Sequence, residues 1–369
     1  PDVTRDAGSC AIMSHMRALQ ALGFAVSFVA ASEMDSRQGT AIRQALEAEG
    51  IMCWHAPFYA SVEDVLRKQS GSFDVVYLHR ISSASRYMAL TRQHQKSAYV
   101  IYSVADLHHV RLERQAAFEE RPELLAEARQ LRLAECSAAW QADAVITHSL
   151  VGEAARRRLV PTATVHQVPW TVGLPNCTGQ SVGRQGVLFL GHYGHAPNVD
   201  AAQWLVRDIM PQIWAEQPDI TCILAGSAMP ETVRRLADER VEVVGYVADL
   251  EALFRRVMVS VAPLRFGAGI KGKVLESLGH GVPCVMNDMA AEGIMLPGEL
   301  HALQTTGDAA SIARRSLQLH GDRTEYERLS LAGVSMIRDQ HGMEPVINGL
   351  RAAIGVEHLP AVLTGIAGR

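Results

Sequence analysis

Short runs of β-branched and apolar residues alternate with longer helical patterns along almost the whole chain. The runs are 25–31, 73–79, 98–104, 143–149 and 165–170, followed by 186–191, 220–226, 241–247, 257–263 and 282–287. The helical patterns between them include 113–140 and 200–216. Because each run is continuously apolar rather than alternating, we interpret it as a strand covered on both faces. Strands that alternate with helices predict an α/β fold with doubly wound parallel sheets.

The series of strands and helices is interrupted once. The segment 173–186 is rich in Gly, Pro, Asn and Ser and has no apolar period, which is typical of an interdomain linker. A chain of 369 residues has room for two domains. We therefore predict an N-terminal Rossmann-like domain at 1–172 and a C-terminal one at 173–343. A last helical segment, about 344–369, is expected to pack back on the first domain.

The first predicted element is a helix, 9–22, and not a strand. The segment before it, "RDAGS", has the small residues that usually follow a first strand, and the chain begins with Pro1. We expect the N-terminal sheet to lack its first strand or to receive it from another segment, and the chain to be a piece of a longer polypeptide. A domain that simply begins with a helix is the alternative.

Charge and composition exclude several classes of protein. A net charge of −4 gives no general attraction for nucleic acid. The six cysteines include no Cys-x-x-Cys pair, which favours reduced thiols in a cytoplasmic protein over a zinc site or disulfides. The uncharged stretch 18–32 is broken at Gly23 and is shorter than the about 20 residues of a spanning helix. The basic run 156–158 indicates a solvated helix end, with peripheral contact at the inner face of a membrane as the alternative.

A glycine-rich segment, "GAGIKGKVLE" at 267–276, follows a predicted strand and opens a helix. The spacing of Gly267, Gly269 and Gly272, with Asp288 after the next strand, is that of a dinucleotide-binding loop. An NAD(P)-dependent oxidoreductase is therefore one alternative. Against it, the loop follows a late strand of its domain, and three residues separate that strand from the first glycine.

The same segment also predicts a diphosphate site. Lys271 and Lys273 stand at the start of a helix, where they oppose the helix dipole unless an anion compensates them. Amide groups, a helix N-terminus and two ammonium groups together suit a diphosphate. Glu276 lies one turn further on, where its carboxylate can accept hydrogen bonds from the two hydroxyls of a ribose.

The segment 259–294, "VSVAPLRFGAGIKGKVLESLGHGVPCVMNDMAAEGI", resembles the nucleotide-sugar site of family-4 retaining glycosyltransferases of GT-B fold. The resemblance extends over 187–205, 223–227, 241–254, 6–28 and 100–116. It implies two doubly wound Rossmann-like domains that face each other across a cleft. It also implies an enzyme that transfers a sugar from a nucleoside diphosphate sugar to an acceptor, with retention and without a metal.

The resemblance also implies roles for individual residues of the C-terminal half. Glu276 matches the acid that holds the donor ribose, whereas the family's other paired acid is absent near Gly267, as in the subgroup that carries a lysine loop there. Lys271 and Arg265 are the candidates for stabilising the leaving diphosphate. The further donor-binding candidates are Lys273, Gly267, Gly269, Gly191 and Gly194 near the diphosphate, Tyr246 and Val247 near the base, and Glu292 near the donor sugar.

Three residues of the N-terminal half match the family's donor contacts. His108, in "ADLHH", matches a histidine that lies against the donor sugar, although by itself it suits a capping or core histidine equally well. Gly8 and Ser9 match the small-residue loop next to the transferred phosphate. Asp106 either orients a histidine or caps the helix that begins near Leu107.

The implied partners are a nucleotide-sugar donor as co-substrate and a glycan, lipid-linked or other acceptor. The resemblance implies no cofactor and no metal, and no Asp-x-Asp metal motif occurs in the sequence. The family's commonest setting is polysaccharide or glycolipid assembly in the cytoplasm. Because the first paired acid is absent, a degenerate, non-catalytic domain of a larger chain is a second alternative.

Overall fold

We describe the fold from a computed structural model, in which residues 1, 7–32, 36–175, 183–355 and 358 are described. The strands of these residues are β1 (Ser27–Phe28), β2 (Met52–Cys53), β3 (Val75–His79), β4 (Tyr99–Val104), β5 (Ala144–Thr147), β6 (Val165–Gln167), β7 (Gly186–Leu190), β8 (Cys222–Ala225), β9 (Val241–Gly245), β10 (Val257–Ala262) and β11 (Cys284–Met286). The helices are α1 (Ala7–Ala21), α2 (Arg37–Ala48), α3 (Val62–Lys68), α4 (Arg80–His94), α5 (His108–Phe118), α6 (Leu124–Gln141), α7 (Leu150–Leu159), α8 (Ala196–Trp204), α9 (Met210–Glu216), α10 (Glu231–Arg234), α11 (Leu250–Arg255), α12 (Gly272–Gly279), α13 (Asp288–Ala291), α14 (Ala309–Gly321), α15 (Arg323–His341) and α16 (Met343–Ile354).

The strands form parallel sheets, as the continuous apolar runs predict. The N-terminal sheet has the order β3-β4-β5-β6, the C-terminal sheet has the order β11-β10-β7-β8-β9, and β1 pairs with β2. Every pairing among these strands is parallel. The ten predicted strands are all present, and the α/β prediction is confirmed. The short strand β2 was not predicted.

Three sequence predictions fall partly on residues outside those described. The expected missing or supplied first strand concerns residues 2–6, and the linker concerns 176–182. The last predicted helix extends to 369, and its part from 359 onward also lies outside the described residues. The domain boundaries at 172 and 343 stay predictions.

The helical pattern over 113–140 forms two helices. The chain forms α5 and α6 there, separated by a turn in which Glu120 has a positive φ of 55°. Pro122 lies two residues after Glu120, and because proline lacks an amide hydrogen and restricts the preceding residue, one helix cannot run through this position without a break. The predicted helix over 200–216 is present as α8 and α9, joined by one wider turn at Leu205–Ile209.

The last described helix, α16, packs on the N-terminal part of the chain. Its buried Val346 and Leu350 share a cluster with Leu19 of α1, Ile101 of β4 and Ile146 of β5. A larger cluster lies mostly around the C-terminal sheet and also includes Ala11, Trp170 and Val172. The helix that ends the described chain therefore returns to the first sheet.

The carboxyl ends of β4 and β10 approach each other. A Cβ on Gly269, after β10, would lie 3.0 Å from the Cβ of Asp106, which follows β4. Phe118 of α5 stacks on Phe266 with ring centroids 5.0 Å apart. Ligands of open parallel sheets bind at the carboxyl ends of the strands, so this junction is the place to seek a site.

No helix in the described part of the chain is long and apolar enough to cross a membrane. In the basic run 156–158, Arg157 is paired with Glu153 at 2.9 Å. The cysteines in the same part of the chain, Cys10, Cys53, Cys136, Cys222 and Cys284, are free thiols.

Candidate active site

The glycine loop joins β10 to α12 through two backbone positions that favour glycine. Gly267 has a φ of 151° and Gly269 a φ of 71°, a region that residues with a Cβ rarely adopt. Lys271 then caps the N-terminus of α12. The first amides of a helix have no partner within it, so this turn presents free donors beside the loop.

Lys271 is buried at this helix start, with a side chain 8% exposed. Its Nζ donates to the carbonyl of Gly269 and lies 4.0 Å from Oε2 of Glu292. Burial lowers the pKa of Lys271 to about 8, although the charge of Glu292 acts in the opposite direction. A buried ammonium with so little compensation is suited to an incoming anion.

Lys273 lies next to it, in an equally uncompensated environment. Its Nζ donates to Oδ1 of Asn198 at 2.7 Å and lies 5.1 Å from the ring centroid of Phe189. Burial, and secondarily the charge of Lys271, lower the pKa of Lys273 to about 7. The positive charges of Lys271 and Lys273 therefore repel each other. A bound anion would reduce this repulsion and stabilise both ammonium groups.

Glu276 occupies the next turn of α12, with its side chain 25% exposed. Among the described residues, its carboxylate accepts no hydrogen bond, and Nδ1 of His280 is 4.0 Å away. Burial raises the pKa of Glu276 to about 7. Because no described residue hydrogen-bonds this carboxyl group, it can accept hydrogen bonds from a ligand, as its predicted ribose role requires.

Glu292 is held by an arginine of the other domain. Nη1 and Nη2 of Arg114, on α5, donate to its two carboxylate oxygens at 2.6 and 2.8 Å. Nη1 of Arg114 also donates to the carbonyl of Gly267 at 2.7 Å. Burial alone would raise the pKa of Glu292, but Arg114 and Lys271 outweigh it and lower that pKa. These hydrogen bonds of Arg114, called the clamp below, hold Glu292 next to the glycine loop.

His108 begins α5, two residues after Asp106, which lies next to Gly269 of the glycine loop. Its Nε2 is 2.8 Å from Oδ1 of Asp106, whose Oδ2 accepts from Arg111 at 2.9 Å. Its side chain is 26% exposed. The neighbouring His109 is instead buried in its own domain, with Nδ1 2.6 Å from Oε2 of Glu135. His108 thus occupies the more open of the two histidine positions.

The loop after β7 passes close to the lysines. A Cβ on Gly191 would lie 3.1 Å from the side chain of Asn198, and one on Gly194 would lie 2.6 Å from Nε2 of His192. Burial, followed by the charge of Arg111, lowers the pKa of His195 in this loop to about 4. His195 is therefore a neutral imidazole between the two domains.

Among the described residues, three candidates form no hydrogen bond or ion pair with Lys271 or Lys273, namely Arg265, Tyr246 and Val247. Arg265 pairs with Asp200, and its guanidinium lies 4.7 Å from the ring centroid of Phe118. Its charge is therefore already compensated, and its role at the diphosphate stays a prediction. Tyr246 and Val247 follow β9, and Tyr246 is 50% exposed.

Gly8 and Ser9, which the resemblance matches to a small-residue loop, lie in the first turn of α1, which begins two residues before the predicted helix. The missing side chain of Gly8 leaves the space that the guanidinium of Arg80 occupies. The guanidinium of Arg80 therefore lies against Gly8, at the position where the resemblance implies a phosphate contact. Whether a phosphate contacts this turn stays a prediction.

The site geometry can be compared with known proteins. Residues 184–322 match the family described as Glycosyl transferases group 1. This group 1 domain contains β7 to β11, both lysines, Glu276 and Glu292. Comparison of the whole sequence with curated proteins finds no match.

Solved structures show the same fold at low sequence identity. Anabaena HepE in complex with UDP superposes with a TM-score of 0.69 at 13% identity, over 94% of this chain and 95% of that one. Sucrose-phosphate synthase from Thermosynechococcus elongatus gives 0.67 at 15%, over 92% and 91%. TarM gives 0.66 at 10%, over 79% of this chain, which spans 57% of the TarM chain.

These neighbours and the group 1 domain confirm the GT-B fold prediction. The match of 184–322 to the group 1 domain supports the interpretation of the chain as a glycosyltransferase rather than an oxidoreductase. The fingerprint glycines follow β10, which lies beside the edge strand β11, and Asp288 begins α13. Glycines with the dinucleotide-binding spacing thus occur in a chain of GT-B fold. The spacing alone therefore does not distinguish a glycosyltransferase from a dinucleotide-dependent oxidoreductase.

Sequence reasoning missed the contacts of Arg114 with Gly267 and Glu292. Nothing in the helical pattern around it distinguishes Arg114 from the other arginines of α5, because the clamp depends on how two domains meet. The only related signal was Glu292 itself, which the resemblance places near the donor sugar. Asp106 was weighed as an orienting acid, and its contact with His108 agrees with that alternative.

Proposed function

We propose that this chain is a retaining, metal-independent glycosyltransferase that uses a nucleoside diphosphate sugar, with UDP-sugars as the first donors to test. The observation that carries the proposal lies on one helix. Two desolvated lysines stand at the start of α12, and an unsatisfied carboxylate stands one turn later. The group 1 domain, the GT-B fold and the UDP in the Anabaena neighbour support it.

The donor occupies this turn in an orientation that the charges dictate. A diphosphate at the glycine loop compensates Lys271 and Lys273 and accepts hydrogen bonds from the amides of the helix start. The ribose then lies against Glu276, whose carboxylate accepts its hydroxyl hydrogens. The sugar extends toward Glu292 and His108, at the boundary with the N-terminal domain.

The reaction breaks the bond between the sugar's anomeric carbon and the diphosphate oxygen. That oxygen gathers negative charge as the bond lengthens, and Lys271 stabilises the charge at the place where it develops. The acceptor hydroxyl approaches on the face from which the diphosphate leaves. The departing phosphate oxygen takes the acceptor's proton, so configuration is retained without a carboxylate nucleophile.

The proposed independence from metal rests on what the site offers instead. In metal-dependent transfer a divalent cation neutralises the diphosphate. Here two ammonium groups and a helix N-terminus provide positive charge for the same group. Transfer in the presence of excess EDTA is the expected outcome, and complete loss of transfer that Mg²⁺ restores would contradict it.

A nucleotide screen tests the proposed function directly. At 100 times its Kd a ligand raises the unfolding free energy by about 2.7 kcal/mol, which thermal unfolding detects. We expect one of UDP, GDP, ADP or CDP to stabilise the protein, UDP first, and Lys271→Ala with Lys273→Met to abolish that effect. Stabilisation by NADH but by no nucleoside diphosphate would overturn the proposal in favour of an oxidoreductase.

Slow hydrolysis of the donor separates an active enzyme from a degenerate domain. An active transferase without acceptor releases free sugar when water replaces the acceptor hydroxyl. A domain that binds the donor but releases no sugar over long incubation would be non-catalytic. By analogy of fold we place the activity in glycan or glycolipid assembly in the cytoplasm.

A further inference from the structure

Glu135 is a buried acid on α6, and the mechanism described above gives it no role. Its side chain has no exposed surface. Its Oε1 accepts a hydrogen bond from the backbone amide of His108 at 2.9 Å, and its Oε2 lies 2.6 Å from Nδ1 of His109. Burying a carboxylate is costly unless donors compensate it. Its carboxylate is therefore held at the place where these two donors meet, at the start of α5.

The helix α5 has no cap from its own N-cap residue. Leu107 occupies that position, and its apolar side chain cannot accept a hydrogen bond. Asp106 instead has Oδ1 2.8 Å from Nε2 of His108 and Oδ2 2.9 Å from Nη1 of Arg111. The first amides of a helix have no acceptor within it, and Glu135 provides one of them with an acceptor from another helix.

The helix α5 presents different residues to its two sides. His109 and Ala116 are its buried residues, within the N-terminal domain. His108, Arg111 and Arg114 recur at intervals of three residues, which places them on neighbouring turns. Arg114 reaches the glycine loop and the acid beside it through the clamp. The buried carboxylate thus holds the same helix that bears the residues nearest to the proposed donor site.

The contact of Glu135 acts on the backbone of His108 itself. Loss of the acceptor would leave this amide in a buried place without its partner, and the first turn of α5 would have to shift to satisfy it. A side chain moves with the backbone that carries it. Misplacement of a group by about 1 Å can lower the rate of a reaction about 10²-fold. The position of the imidazole of His108 therefore depends on a residue that lies outside the proposed donor site.

We propose that Glu135 is a positioning residue for sugar transfer, which caps α5 and so holds His108 against the donor sugar without contacting the substrate itself. The inference rests on the proposed glycosyltransferase function and on the proposed contact of His108 with the sugar. It requires that the kinetic effect of removing Glu135 passes through His108. A buried pair that only stabilises the domain has no such requirement.

Two variants and a matched control separate positioning from stability. Glu135→Met removes both acceptor oxygens at similar side-chain length, whereas Glu135→Gln keeps one oxygen for the amide of His108. Gln95→Met is the control, because Gln95 is also fully buried in the N-terminal domain. Its Nε2 donates to the carbonyls of Leu66 and Gln69 at 3.1 and 2.7 Å, neither of which belongs to α5.

Steady-state hydrolysis of the donor without acceptor measures the effect of each variant. We expect Glu135→Met to lower kcat about tenfold and to leave the donor KM within about twofold, because the proposed diphosphate and ribose contacts lie in the group 1 domain. Glu135→Gln should restore most of kcat. Gln95→Met should keep the kcat of wild type, although its Tm falls. Equal kcat for Glu135→Met and Gln95→Met would overturn the proposal.

A double-mutant comparison tests the route of the effect. His108→Ala should lower kcat at least as much as Glu135→Met does. In the His108→Ala background, Glu135→Met should lower kcat less than about twofold, because the group that Glu135 positions is already missing. An unchanged kcat in His108→Ala, or a tenfold loss from Glu135→Met in both backgrounds, would overturn the proposal.

Two further outcomes are distinguishable from these. If Glu135→Met does not fold, Glu135→Asp takes its place, because it withdraws the carboxylate from both donors by one methylene. The same dependence on His108 is then expected, and its absence would overturn the proposal in the same way. A wild-type protein that hydrolyses no donor would instead identify a failure of the proposed function.

Discussion

Arg114 and Glu292 join the two domains of this protein through two hydrogen bonds, at 2.6 and 2.8 Å between guanidinium nitrogens and carboxylate oxygens. The same Glu292 lies 4.0 Å from the ammonium of Lys271. One carboxylate thus contacts the N-terminal domain and the proposed phosphate site together. We infer that Arg114 positions Glu292 and the glycine loop without contacting the reacting atoms itself.

Removing this clamp should weaken transfer without unfolding the protein. Hydrogen bonds to a charged group contribute about 1.5–3 kcal/mol, so Arg114→Gln should lower kcat/KM for the donor roughly 10- to 100-fold. Arg121→Gln is the matched control, because among the described residues Arg121 forms ion pairs with Glu119 and Glu123 alone, on the surface. Equal kinetics for the two variants would show that the clamp has no part in transfer. Arg114→Lys should restore only part of the loss, because an ammonium cannot form both hydrogen bonds in one plane.

Gly269 should be intolerant of any side chain. Its φ of 71° costs about 1–2 kcal/mol for a residue with a Cβ, and that Cβ would meet Asp106 at 3.0 Å. Gly269→Ala should therefore lower the unfolding free energy by at least this amount and reduce stabilisation by UDP. Gly298→Ala is the control, since a Cβ there meets nothing within 4 Å. Chemical denaturation of both variants measures the difference, and equal midpoints would contradict the close approach of the domains.

The stability contribution of Glu276 should depend on pH in a defined direction. Folding raises the pKa of this carboxyl to about 7, so the folded protein keeps the proton after the unfolded chain has lost it. Stability relative to Glu276→Gln is then fully present below about pH 4.5 and is lost as pH rises to about 7. We expect the Tm of Glu276→Gln minus the Tm of wild type to increase from pH 4 to pH 8. The exposed pair Glu231–Arg235 provides the control, Glu231→Gln, whose Tm difference should stay small. A Tm difference for Glu276→Gln that is independent of pH would mean that the carboxylate is solvated.

The parts of the structure that the sequence predicts are those set by local patterns. All ten predicted strands are present because continuous β-branched runs allow little else once helices separate them. The lysine loop and Glu276 were likewise predictable, since they lie within ten residues on one strand–loop–helix unit. The turn at Glu120 was not predicted, because the helical pattern over 113–140 continues through Pro122. The helical backbone, in contrast, is interrupted there.

The unpredicted parts of the site depend on contacts between distant segments. Arg114 and Glu292 are separated by 178 positions, and nothing in either local pattern indicates the other. Arg265 looked free in sequence, but Asp200, 65 positions away, compensates its charge. Gly8 was placed in a loop by family resemblance, whereas the structure continues α1 through it. These are consequences of how the sheets meet, which a single sequence does not encode locally.

The assignment of Lys271 to the leaving diphosphate is the central claim, and steady-state kinetics of two variants test it most directly. Glu276 contacts a ribose whose charge does not change, so Glu276→Ala should mainly raise the donor KM, by about 1.5–3 kcal/mol in binding. Lys271 faces charge that grows as the bond breaks, so Lys271→Ala should mainly lower kcat, by about 10²–10³. Donor hydrolysis and transfer should respond alike, because both break the same bond. If Lys271→Ala leaves kcat within a few-fold of wild type, the phosphate does not lie at this helix start and the account is wrong.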